Sequence, residues 1–205
     1  MEGKKQVLKK FLITGAIALG LLSGPLMGQA LAAPFDAEAA VTNAQTAADT
    51  GFMLMSSALV LLMTPGLAFF YGGFVRSRNI LNTLMMSFLL MGVVGVTWIL
   101  WGYSLAFAPG NPFIGGLQWL GLNGVGLETT DYLNGSNPAE VVSYAPTIPH
   151  QAFMIYQAMF AIITPALISG AIVERVSFTA YSLFVLLWST LIYSPLAHDL
   201  LVVLI

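Results

Sequence analysis

The stretch from Leu59 to Arg78, LVLLMTPGLAFFYGGFVRSR, constrains this chain more than any other. It is apolar almost throughout, carries Thr64-Pro65-Gly66 in its middle, ends on Tyr71-Gly72-Gly73 and stops at Arg76 and Arg78. Proline removes a backbone donor and glycine weakens a helix, so in water the segment makes a poor helix. Among other helices in a bilayer both residues are ordinary, because neighbours re-satisfy the freed groups. The stretch therefore predicts a membrane helix broken at Thr64-Pro65-Gly66.

Composition agrees. The chain is 58% hydrophobic and 8% charged, with a mean hydropathy of +0.84, whereas soluble domains carry charge on about a quarter of their residues. A net charge of -2 without a basic stripe excludes nucleic acid as a partner. Without cysteine there is neither a disulfide framework nor a thiolate metal site. No cofactor is expected.

At the N-terminus Lys4, Lys5, Lys9 and Lys10 precede an apolar run from Phe11 to Leu22, followed by Ala30-Leu31-Ala32-Ala33. This is the layout of a secretory signal peptide over residues 1–33, cut near Ala32 or Ala33. An uncut first anchor is the alternative, but the apolar core is short for a span of about 20 residues. Residues 34–50 then form an extracytoplasmic lead-in, and residues 51–205 the main domain. Four spans are predicted there, at about 51–75, 80–108, 151–173 and 177–205. Arg76 and Arg78 fall in the first short link and Arg175 in the last, while the connection from Pro109 to His150 has no Lys or Arg. The positive-inside rule puts both short links in the cytoplasm and the mature N-terminus outside a plasma membrane.

The long outer connection carries turn signals at Asn111-Pro112, Gly115-Gly116, Asn134-Gly135 and Asn137-Pro138. Glu128, Asp131 and Glu140 make it mildly acidic, which suits either a cation-attracting rim or an ordinary solvated loop. Within the spans charge is nearly absent, so there is no carboxylate relay and no arginine ladder. In the third, Tyr156 and Phe160 stand at i and i+4 on one helix face with Gln157 beside them. Two such rings either hold a small cation by cation–π attraction or serve as interface and packing residues. Thr64, Ala68 and Gly72, and likewise Ala166 and Gly170, give the small-xxx-small spacing of closely packed helices. Thr164-Pro165 and Ser194-Pro195 repeat the polar-plus-proline pattern. His150 reads as a helix-start contact or a vestibule group, and His198, beside Asp199, as an ionisable group at a span end. Neither has enough company for a metal site, and no serine or threonine comes with a visible base, so the chain reads as a non-enzyme.

Several motifs occur in order: DTGFMLMSSALVLLMTPGLAFFYGGFVRSRN from Asp49, WGYSLAF at Trp101 to Phe107, FAIITPALISGAIVER at Phe160 to Arg175, and YSPLAH at Tyr193 to His198. Together they resemble the first part of ammonium transporters of the Amt/Mep/Rh family, from about Asp49 to His198. The resemblance implies an all-α membrane protein, a polytopic helical bundle holding about four helices of an eleven-helix inverted-repeat fold. It also implies trimeric assembly, an outer vestibule that recruits ammonium, and passage of ammonia, with or without a proton, through a narrow hydrophobic pore. By the same resemblance Phe160 matches the family phenylalanine that faces the recruited ion and gates the pore, and Tyr156 matches a second vestibule aromatic.

Where the family continues with a tryptophan and a glycine run, this chain reads Asp199-Leu200-Leu201-Val202-Val203-Leu204-Ile205. The pore histidines and the second repeat are likewise not represented, and the pore of inverted-repeat transporters lies between the halves. The expectation is a truncated member, either a contributor to ammonium transport or a non-conducting partner that joins full-length subunits.

Overall fold

The computed structural model describes residues 36–129 and 145–204, with side chains in the last helix as far as Leu200. The expected signal peptide, and Asp131, Asn134-Gly135, Asn137-Pro138 and Glu140 of the outer connection, lie outside the described residues. The chain divides into two compact units, Met1–Thr42 and Asn43–Ile205. Of the first, the described part is Asp36 and the opening turns of a helix whose first amides it caps. The Asp36 carboxylate accepts from the amides of Glu38 at 3.1 Å and Ala39 at 3.0 Å, the usual role of aspartate at a helix N-cap.

Among the described residues, four helices are long and apolar enough to cross a membrane. Helix α1 is Ala37–Gly72, α2 is Ser77–Phe107, α3 is His150–Ile172, and α4 crosses as Phe178–Leu200 before ending at Leu204. At 1.5 Å per residue, the 36 residues of α1 extend about 54 Å, well beyond a hydrocarbon core of about 30 Å. The helix therefore begins at Ala37, inside the expected lead-in, rather than near residue 51.

The expected break at Thr64-Pro65-Gly66 does not occur: α1 runs unbroken through Pro65, and α3 through Pro165. A proline deletes one hydrogen bond and crowds one carbonyl, which a long packed helix tolerates when its other bonds persist. In α3 the Thr164 hydroxyl donates to the Phe160 carbonyl at 2.6 Å, and Tyr181 of α4 donates to the Pro165 carbonyl at 2.7 Å. Both bonds brace the helix around Pro165.

The expected stripe of small residues is where α1 is buried: its buried residues are Ser57, Thr64, Ala68 and Gly72. The opposite face leaves Phe52, Leu59, Leu62, Phe69 and Phe70 exposed, as suits contact with lipid or another chain. Tyr71 reaches across to α3, donating to the Leu167 carbonyl at 3.2 Å. Its ring lies directly over Gly170, where any Cβ would collide with it. Helix α2 packs against both α3 and α4. Met86, Leu90, Val94, Trp98, Ala158, Ala161, Ala166, Tyr181 and Val185 belong to the shared core.

Beyond Phe107, α2 leads into a tight hairpin of β1 (Gly110–Asn111) and β2 (Ile114–Gly115). Asn111 Oδ1 accepts the amides of Phe113 and Ile114, both at 2.9 Å, so the Asn111-Pro112 turn signal is realised. His198 of α4 places its ring nitrogens 3.1 Å from the Ala106 carbonyl and 2.9 Å from the Asn111 carbonyl, tying α4 to the end of α2 and to the hairpin.

On the opposite side, Glu174 joins the two short links. Its carboxylate accepts the Arg76 amide at 3.0 Å and the Asn79 side-chain amide at 2.7 Å. No side chain of α2's own first residues caps that helix start, so Glu174 supplies the cap from the far link. Glu174 itself sits at φ 63°, a left-handed conformation that non-glycine residues seldom adopt. The hydrogen bonds from Asn79 and Arg76 hold its carboxyl below the ordinary value of 4.5, with the Arg76 and Arg78 charges adding in the same direction.

Two predictions follow from these contacts. Gly170→Ala should lower the melting temperature of the detergent-solubilised chain, by the equivalent of about 1–3 kcal/mol for an overpacked site. Gly92→Ala, where a Cβ meets nothing within 4 Å, should leave it unchanged. Because the carboxyl of Glu174 is depressed in the folded state, its contribution is complete above pH 4.5 and is lost as pH falls below that value. The Arg76 amide resonance should therefore titrate in that acidic window, and should not do so in Glu174→Gln.

Candidate functional site

Residues of α2, α3 and α4 line a cleft of about 360 Å³: Phe107, Gln157, Phe160, Tyr193, Leu196, Ala197 and Leu200. Its wall is mostly hydrocarbon and aromatic, and the polar side chains among its lining residues are the Gln157 amide and the Tyr193 hydroxyl. Phe160 is 37% exposed within a span, and its ring is accessible from the cleft. Tyr156 packs against Phe160 edge-on, with ring centroids 5.0 Å apart and planes at 71°. Of the two aromatics expected from the sequence, Phe160 lines the cleft, while Tyr156 buttresses it from one turn above and does not line it. Gln157 joins Phe160 in the lining.

Phe107 and Tyr193, which sequence reasoning did not single out as site residues, form the facing wall. Both lie in the quoted motifs, and Tyr193 directly precedes the flagged Ser194-Pro195 pair. Their aromatic character alone does not distinguish them from other rings in the spans. What places them is a packed ladder of rings behind the cleft. Phe107 contacts Trp98 at 6.0 Å and Phe153 at 5.2 Å, and Tyr193 contacts Trp98 at 6.1 Å. The indole of Trp98 is fixed in turn by donating to the Met154 carbonyl at 3.3 Å.

His150 lies in a separate cluster above. It is the first residue of α3, only 2% exposed, with Nε2 2.6 Å from the Tyr103 hydroxyl and the Trp119 ring 4.6 Å away, edge to face. Its amide donates to the Glu128 carbonyl at 3.2 Å, so the helix-start contact expected of it is present. Among the described residues no three His, Cys, Asp or Glu side chains group as metal ligands.

Residues 51–202 match the family model described as Ammonium Transporter Family. The chain belongs to this family. Among curated relatives, it is 51% identical over 150 residues to an ammonium transporter of Bacillus subtilis, an alignment covering 73% of this chain and 34% of the relative. It is 38% identical over 151 residues to ammonium transporter Amt1 of Archaeoglobus fulgidus, covering 73% and 33%. Among solved structures, Mep2 of Candida albicans superposes with a TM-score of 0.60 at 32% identity, over 73% of this chain and 30% of that one. Mep2 of Saccharomyces cerevisiae does so with a TM-score of 0.59 at 34% identity. The chain thus spans about a third of the length of the relatives it matches.

Membership in the ammonium transporter family accords with the helical membrane fold and with the multi-pass character of the four helices. The Tyr103–His150 pair links the end of α2 to the start of α3. Tyr103→Phe should therefore cost about 1–2 kcal/mol, the effect of leaving a buried ring nitrogen short of one partner. Thermal unfolding in detergent, followed by the signal of the α-helices, measures it.

Proposed function

We propose that this chain forms one wall of an ammonium pathway, with the cleft at Phe160, Gln157 and Tyr193 as the place where the ion is held. The observation that carries the reading is the accessible ring of Phe160 in an apolar recess that also contains an amide and a phenol. An ammonium ion is a compact cation with four N–H donors. A ring face attracts its charge by about 0.5–2 kcal/mol, and more effectively as water is removed. The Gln157 carbonyl and the Tyr193 hydroxyl are acceptors for two of its protons. A metal cation of similar size gains the ring attraction but offers no directed donors, so this arrangement favours ammonium. The rest of the lining, Phe107, Leu196, Ala197 and Leu200, is hydrocarbon, which penalises the charged form and favours passage as ammonia, the proton moving separately or staying behind.

In this reading the signal peptide and the arginines of the short links set the orientation, with the cleft on the outer side of a plasma membrane. No enzymatic step is involved. The second wall comes from a further set of spans, as in inverted-repeat transporters, and assembly is as a trimer. A second reading rests on the exposed aromatic face of α1: the chain inserts among full-length subunits as a non-conducting partner.

Uptake of labelled methylammonium by cells lacking their own transporters separates the two. The chain co-expressed with a segment supplying the remaining spans should take up methylammonium, and Phe160→Ala should raise the half-saturating concentration roughly 2- to 30-fold, the range implied by one cation–π contact. Absence of uptake in every arrangement contradicts conduction. Co-purification with a full-length transporter whose uptake it depresses supports the second reading.

A further inference from the structure

Helices α2 and α4 each contain one π-helical turn, Trp98–Gly102 in α2 and Ser189–Tyr193 in α4. Such turns are rare and concentrate where a helix must re-aim a side chain. The two are bonded to each other: Trp101 Nε1 donates to Thr190 Oγ1 at 3.0 Å. Thr190 Oγ1 donates onward to the Leu186 carbonyl at 2.9 Å, which also accepts the Ser189 hydroxyl at 3.2 Å.

Each wide turn has a local cause. Pro195 has no N–H, and its ring presses on the carbonyl four residues back. Just before Pro195 the helix is widened: the Ser194 amide bonds to the Ser189 carbonyl, five residues back, and the Ser194 hydroxyl reaches the same oxygen at 3.1 Å. In α2 the turn closes on Gly102, where a Cβ would come within 3.1 Å of the Trp98 ring and 3.3 Å of the Thr97 carbonyl.

One inserted residue rotates everything after it by about 100° relative to an uninterrupted α-helix. The π turn in α4 therefore decides that Tyr193, Leu196 and Leu200 face the cleft. We propose that the Trp101–Thr190 hydrogen bond holds this turn in register, making Trp101 a positioning residue that acts through Tyr193 without touching the ion. The role in ion capture rests on the function proposed above, while the tie between Trp101 and Tyr193 stands independently.

The test is 19F NMR of the whole chain, labelled with fluorotyrosine in lipid nanodiscs, with the Tyr193 signal assigned by Tyr193→Phe. Trp101→Phe and Thr190→Val should each shift and broaden that signal, the double variant no more than either single one, and Thr190→Ser should restore it. Methylammonium titrated into the same samples, assembled with the spans that complete the fold, should show half-saturation raised roughly 2- to 10-fold in both single variants, as for one lost hydrogen bond. A Tyr193 signal unmoved by both variants overturns the tie. A moved signal with unchanged half-saturation overturns the positioning role. If the unsubstituted chain, assembled with the spans that complete the fold, takes no methylammonium, the ion site itself is refuted and the positioning role with it, and the Tyr193 signal alone decides the tie. Thr190→Val keeps the test decisive should the tryptophan variant fail to fold.

Discussion

No water is present in a hydrocarbon layer to take up an unused backbone N–H or C=O, and each such group left alone costs several kcal/mol. That constraint shapes every unusual feature of this chain. Around Pro165, hydroxyls from Thr164 and Tyr181 add bonds to the Phe160 and Pro165 carbonyls, and the helix continues. Pro195 is accommodated differently, by a wide turn whose carbonyl at Ser189 accepts both the amide and the hydroxyl of Ser194. The first amides of two helix starts are met by carboxylates, from Asp36 at the start of α1 and from Glu174 at the start of α2.

Packing follows from a second property of the same medium. Lipid tails are as apolar as leucine, so helices adhere through close contact rather than through the hydrophobic effect. Thr64, Ala68 and Gly72 are buried while the bulky phenylalanines of α1 face outward, the reverse of a water-soluble helix. Tyr71 over Gly170 shows how little room such contacts leave. The cleft is where this close packing stops: Phe160 is left partly exposed there, beside Tyr193 of the π turn Ser189–Tyr193.

Much of this was legible in the sequence. Apolar runs of the right length gave the four helices, and the fourfold spacing of small residues gave the buried face of α1. Phe160 and Gln157 were recognisable as a ring and an amide on neighbouring positions of a charge-free span. Pro65 misled, because a proline marks a lost hydrogen bond but does not say whether the surrounding helix can continue without it. The start of α1 was set too late because Ala37 to Asp49 is polar enough to resemble a loop, while its many alanines favour a helix. Phe107 and Tyr193 were hidden for a different reason. Their place in the cleft depends on two π turns and on contacts between helices far apart in sequence, which local periodicity does not encode.

The central claim is that an ammonium ion rests against the accessible ring of Phe160. Solid-state NMR in bilayers, with 15N-ammonium and a 13C-labelled phenylalanine ring, addresses it directly, the chain being assembled with the spans that complete the fold. A dipolar contact between ion and ring, within about 6 Å and abolished by Phe160→Leu, is the expected result. Bound ammonium with no contact to that ring contradicts the account.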